Sequence, residues 1–194
     1  MEKLDLLVWD DVPLAVDVPG LRSLEVHTAA GIEKPSILMG RGPELKALVE
    51  LWVDSYDVWR EIVAQVPGDL YLVTSSEPQK KTDTKGLLTH LSFFPKPDRL
   101  TEAEFFHGWH EVHTPTTGEL HPLRQGYVRD AVVRSLTDSP PVRGIVSEYF
   151  VTEDYLDPSR LFGSKEALQA SVEELPLYAD FADVSSCPLY LQES

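Results

Sequence analysis

Apolar residues recur along the chain in eight short stretches bounded by Pro, Gly and Asp, and each reads as a β-strand. They run Leu4 to Trp9, Leu21 to Thr28, Leu45 to Val53, Leu70 to Val73, Gly86 to Phe94, Gln125 to Val133, Gly144 to Val151 and Cys187 to Leu191. Helical spacing is rarer and predicts helices over Val58 to Gln65, Thr101 to Thr114 and Lys165 to Glu174. The helix from Thr101 is the best specified. Thr101 and Glu104 make a Thr-x-x-Glu capping box, and Phe105, Trp109 and Val112 fall at i, i+4 and i+7 as a core-facing stripe. Pro115 is expected to end it, because proline disfavours a helical conformation in the residue before it.

The strands fall into two sets of four, separated by the polar run SSEPQKKTDTKG (Ser75 to Gly86), which reads as an interdomain linker. Leu45 to Val63 and Val142 to Leu156 share a pattern of apolar strand, acidic residue and aromatics, with Glu50-Leu51-Trp52 laid over Glu148-Tyr149-Phe150. The second half reads β-α-β-β-α-β, the split βαβ arrangement with both helices on one face of an antiparallel sheet. Its other face needs cover, which a second such sheet in the same chain supplies. The expected fold is therefore α+β: tandem ferredoxin-like repeats forming a pseudo-dimeric α+β barrel. Residues 1–78 form a degenerate half, since DVPLAVDVPG (Asp11 to Gly20) leaves no room for a first helix, and residues 79–194 form the half that carries the site.

Composition narrows the partners. The 194 residues are 42% hydrophobic, enough to bury a core, and the formal charge of −15 argues against nucleic acid or an anionic membrane surface. The opening MEKLDLLVWDD has acidic residues in its apolar run and reads as neither signal peptide nor membrane span. The single cysteine, Cys187, cannot form an internal disulfide and reads as a buried, inert thiol, so the expected compartment is the cytoplasm.

Chemistry concentrates in EFFHGWHEVHTP (Glu104 to Pro115), where His107, His110 and His113 recur every third residue. On an ideal helix each steps back by about 60° from the last, so the outer two diverge and would bind a single metal only under strain. No Cys or His pair at metal spacing completes the set, so no metal is expected. Proton transfer asks for less, and His113, one turn beyond Trp109, is the best base, with His110 beside it. A helix-end role for His113, capping the last carbonyls, remains open. His107 reads as solvated, and His27 and His121 carry no usable pattern. In GLLTHLSFF, alternation puts Leu88, His90, Ser92 and Phe94 on one face, so His90 either finds polar partners in the core or lines a cavity. MGRGPE (Met39 to Glu44) lacks the third glycine, the following helix and the lysine of a phosphate loop, and reads as a turn. No nucleotide, triad or thiol motif is present, so no cofactor is expected.

The run LTEAEFFHGWHEVHTP resembles the signature of EthD-domain proteins, members of the dimeric α+β barrel superfamily, through Thr101, Glu104, Phe105, Trp109 and His113. Tyr127 in LRQGYVRD resembles that family's second-strand tyrosine, SEYFV its third-strand pattern, and Phe181-Ala-Asp183 the motif before its last strand. The likeness covers roughly Gly86 to Leu191. It implies a cofactor-independent enzyme acting on a small apolar, aromatic or polyketide-like molecule by His-mediated proton transfer, as lyase, isomerase or dehydratase. His113 would be the base or acid, His110 an auxiliary donor and Tyr127 a hydrogen-bond donor to the substrate oxygen, with Trp109, His90 and Phe106 binding the substrate. A cofactor-free monooxygenase and a non-catalytic small-molecule binder are the alternatives, because the fold hosts many chemistries. A homodimer is compatible with this reading but not required, since the usual dimer's barrel would close within one chain.

Overall fold

The computed structural model describes residues 1–32, 35, 45–81 and 84–192. Its strands are β1 (Glu2–Val8), β2 (Leu21–Ala29), β3 (Ala47–Val53), β4 (Asp69–Gln79), β5 (Leu88–Phe94), β6 (Gly126–Ser135), β7 (Gly144–Phe150) and β8 (Ser185–Leu191). They close into one antiparallel barrel in the order β1-β3-β2-β8-β5-β7-β6-β4, with β4 returning to β1. Each half contributes its strands in the same order, fourth, first, third, second, and the halves join at the β2–β8 and β4–β6 seams. The helices lie outside the barrel, making this an α+β barrel.

Period-two alternation decides which side chains enter the barrel. Leu7, Leu48, Tyr71, Leu91, Val132, Ile145 and Leu189 fill one end of the interior, where the Cys187 thiol is also buried. One or two steps along the same strands, Lys3, Asp5, His27, Glu50, Thr89, Asp130, Ser147 and Tyr149 make the other end polar, and all are buried.

The outer face of the first half, including Leu4, Leu6, Val49, Leu51 and Leu70, packs against Ile62 of helix α1 (Trp59–Gln65) and against Val66 just beyond it. The segment between β1 and β2 is not helical. Its Val12, Leu14, Val16 and Val18 alternate instead, and pack on this same face where a helix would otherwise lie. The outer face of the second half packs against α2 (Glu102–Phe106), a π-helical segment (His107–His113), α3 (Thr114–Leu120), α4 (Thr152–Leu156), α5 (Pro158–Leu161) and α6 (Lys165–Glu174). The capping box forms as expected, with Thr101 Oγ1 accepting from the Glu104 N–H and Glu104 accepting from the Thr101 N–H. Ser164 caps α6, accepting from the Ala167 N–H.

Three expectations need correction. The helix does not stop at Pro115 but continues to Leu120. The Thr114 N–H reaches back five residues to the Trp109 carbonyl, which widens the turn, so Pro115 enters the first turn of α3, where its missing N–H is not needed. The wide turn also moves the buried stripe from Val112, which is half-buried, to His113. Phe105, Trp109 and His113 lie four residues apart, a spacing that would drift by about 80° over eight residues of a regular α-helix. Finally, Ser75 to Gln79 is no linker: it continues β4 and pairs with β6 from Thr74↔Ala131 to Gln79↔Tyr127. Both faces of this stretch are largely wet, so it lacks the apolar alternation that marks a strand. The MGRGPE turn lies outside the described residues. Among those residues, no helix is long and apolar enough to cross a membrane.

Candidate functional site

Between the outer face of the second half and its helices lies a cavity of about 90 Å³. The outward register of β5 delivers His90, Ser92 and Phe94 to it, and that of β7 delivers Val146 and Glu148. The π-helical segment contributes Trp109 and His113, α3 contributes Thr117, and Tyr127, His121 and Tyr178 close the wall. Four residues singled out from sequence, His113, Trp109, Tyr127 and His90, thus meet on one cavity.

His113 is tied from behind. Its Nδ1 lies 2.9 Å from Glu174 Oε2, at the end of α6, and the same carboxylate accepts from Thr116 Oγ1 at 3.0 Å. A carboxylate only accepts, which assigns the ring proton to Nδ1 and leaves the Nε2 lone pair bare. Burial pushes the imidazole pKa below the ordinary histidine value, with Glu174 and Glu148 partly opposing. His113 is therefore a neutral ring near pH 7, stacked at a tilt on Tyr178 with ring centres 4.7 Å apart.

His121 repeats the device. Its Nδ1 sits 3.1 Å from the Leu161 carbonyl, so it too carries the proton there, and burial again lowers its pKa. His90 is held by the Tyr155 hydroxyl at 3.1 Å and by Ser92 Oγ at 3.2 Å.

The charged part of the wall is Glu148, opposite His90 in the β5–β7 register and opposite Tyr127 in the β6–β7 register. Burial alone would raise its pKa, but His121, Arg124 and His90 together outweigh that and hold it at about 2. His121 is neutral near pH 7, so the permanent counter-charge there is the buried Arg124, whose Nη1 donates to Glu148 Oε1 at 2.6 Å and to Thr117 Oγ1 at 2.9 Å. The guanidinium also lies over the Tyr127 ring, 4.4 Å from its centre. Burial raises the Tyr127 phenol to about 12, so it stays protonated. Thr114 and Trp109 approach its hydroxyl, but no hydrogen bond of acceptable geometry satisfies it.

His110 and Phe106 do not reach the cavity wall. The His110 ring packs on Phe106 and Trp109, with ring centres 5.0 and 4.6 Å away, and burial followed by the Arg129 charge lowers its pKa to about 4. Phe106 stacks on Trp109 and lies beneath the Arg143 guanidinium. His107 is exposed and bonded to Glu111. The three histidines of the helix thus face three different surroundings. Among the described residues, two sets bring three ligand atoms within 4.8 Å of one another, Glu25-His27-Glu50 and Asp5-Glu50-Asp130, and neither contains these histidines.

The residues that sequence reasoning missed are His121, Glu174, Arg124 and Thr117. Glu148 appeared only as part of a strand pattern, although the alternation of SEYF already sets it opposite Tyr149 in facing. Glu174 offered no signal, being one of several acidic residues on α6.

No protein-family profile matches the chain, and none of the curated proteins compared does. Among solved structures, the chain is similar to that described as "anthrone oxidase-like protein", with a TM-score of 0.61 and 11% sequence identity over 99% of this chain and 91% of that one. At that identity the likeness shows the fold, an α+β barrel with its helices outside.

Proposed function

We propose that this protein is a small-molecule enzyme that moves a proton with His113, acting on a hydroxylated aromatic compound without a bound cofactor. The observation that carries the reading is the His113 imidazole, its Nδ1 anchored by Glu174 and its ring on the wall of an aromatic-lined cavity. At about 30 Å³ per water the cavity has room for about three water molecules, hence only for a small substrate. Two bare imidazole nitrogens, on His113 and His121, and the Glu148 carboxylate offer acceptors to substrate hydroxyls, while Trp109, Phe94 and Tyr178 offer flat apolar faces. His113 takes the proton from an acidic C–H or O–H, and the unsatisfied Tyr127 hydroxyl donates to the oxygen on which charge develops. On this reading the identical strand order of the two halves reflects tandem ferredoxin-like repeats, and the second repeat is kin to the EthD domain.

Cofactor-free oxygenation is the second reading. It starts from the same deprotonation, with dioxygen as co-reactant, and the likeness to an anthrone oxidase-like protein favours it. A panel of hydroxylated aromatics tests both readings by solvent-deuterium exchange and by turnover with and without oxygen. His113→Gln should lower the exchange rate by about 10² to 10⁴ while leaving ligand affinity nearly unchanged. Affinity without exchange or turnover by the wild-type protein would make it a binding protein instead.

A further inference from the structure

The polar end of the barrel interior takes no part in the proton transfer argued above, and its charges do not balance. Four carboxylates, Asp5, Glu25, Glu50 and Asp130, face two ammonium groups. Lys3 contacts Glu50 at 2.5 Å and Asp130 at 2.7 Å, and Lys81 contacts Glu25 at 2.9 Å. Were all four ionised, the space would carry two excess negative charges and call for a counter-ion or for protons; burial, then the Asp130 carboxylate, push Asp5 well above the ordinary carboxylate range, so a proton there meets part of that demand.

His27 sits where that demand is sharpest. Its ring is fully buried, with Nδ1 3.1 Å from Thr89 Oγ1 and Nε2 3.0 Å from Glu50 Oε2, while Glu25 Oε2 lies 3.9 Å from the same nitrogen. As at His113, a carboxylate only accepts, so Nε2–H donates to Glu50 and Nδ1 accepts from Thr89 Oγ1; a divalent ion would take the place of that proton, with Glu25 as its third protein ligand. Adjacent ligands in an octahedral shell with bonds of about 2.1 Å stand about 3.0 Å apart, which is the His27–Glu50 spacing.

A separate observation points into the same space. The Tyr149 hydroxyl is buried and unpartnered, and its ring centre lies 6.4 Å from that of His27. At the rim, Glu25 is about one-third exposed and Lys81 about one-fifth exposed, which gives an ion a way in.

We propose that Glu25, His27 and Glu50 bind one divalent transition-metal ion of the zinc or manganese type at the mouth of the barrel, beside Tyr149. One nitrogen and several oxygens suit such borderline ions. With the ion bound the ring proton moves to Nδ1 and is donated to Thr89 Oγ1, Lys3 keeps Glu50 in place through its other oxygen, and Lys81 competes for Glu25 until the ion displaces it.

The full chain, stripped with a chelator and dialysed, is titrated with Zn²⁺ or Mn²⁺, following bound metal by mass spectrometry and stability by thermal melting. The expected result is one ion per chain with a rise in Tm. Glu25→Gln, a rim substitution that leaves the core intact, should weaken binding at least tenfold, and Thr89→Val should weaken it about 10- to 100-fold. Lys81→Ala should tighten it. His113→Gln should leave it unchanged. No uptake by the wild-type chain would overturn the site and leave a proton bridging His27 and Glu50. Uptake that survives Glu25→Gln but is lost in His107→Gln or His113→Gln would place the metal on the helix and overturn it equally.

Discussion

Glu174 decides which nitrogen of His113 is bare, so the base proposed for this cavity is a two-residue device whose parts lie 61 positions apart. Its pH behaviour follows from the competing influences on the ring. Burial lowers the His113 pKa and Glu174 raises it, so the active neutral form is full above the ordinary value of about 6.5 and is lost as pH falls through the depressed folded value. Glu174→Gln keeps an acceptor for Nδ1–H but removes the negative charge. The acid limb of the rate profile should therefore move to lower pH, whereas a glutamate that merely packs would leave the limb where it was. His113, Trp109, Tyr127 and His90 were legible because spacing and resemblance place them on one face. His121 was not, because a lone histidine near a helix end has no partner within reach of the local sequence. Its proton is fixed by the Leu161 carbonyl, 40 residues away.

At the scale of elements, the π-helical turn makes the site. It widens the divergence of three histidines that a regular helix would step by only about 60° each, sending His107 to solvent, His110 toward Arg129 and His113 to the cavity. Spacing alone could not show this, since the wide turn arises from a hydrogen bond that skips one residue further back. Gly108 lets that turn lie against the segment following α6. A Cβ there would stand 2.2 Å from the Leu177 carbonyl oxygen, a backbone atom that cannot swing aside. Gly108→Ala should cost about 1 to 3 kcal/mol of stability, seen as a lower Tm or denaturant midpoint, and should disturb the Leu175 and Tyr178 side of the cavity. Gly118→Ala makes the control, because its Cβ would meet nothing within 4 Å. The end of β4 shows the complementary limit of sequence reading: Ser75 to Gln79 is a strand by backbone pairing alone, and a polar strand with both faces wet looks like a linker.

At the scale of the molecule, the two halves share one closed barrel, and the sharing is chemical as well as topological. Lys3 of the first half bonds Asp130 of the second, and His27 of the first meets Thr89 of the second, all inside the barrel. Residues 79–194 expressed alone would lose β4 beside β6 and β2 beside β8, leaving two open strand edges and the apolar inner face of the sheet uncovered, with Asp130 parted from its lysine. That fragment should not persist as a monomer with the melting behaviour of the whole chain. Light scattering should find it paired or aggregated, and addition of residues 1–78 should restore a one-to-one complex, because the missing edges and the missing ammonium return together. A monomeric fragment that melts cooperatively near the Tm of the whole chain would show instead that the second half closes its sheet unaided. The same topology bears on dimers of the intact chain: β8 pairs with β2 only from His27 to Ala29, with one further bond from the Gln192 N–H to the Val26 carbonyl, so among the described strands the part of β2 before Val26 is an edge that a second copy could extend. Val26 faces that side and by alternation so does the Leu24 N–H, so a dimer formed there should be broken by Leu24→Pro.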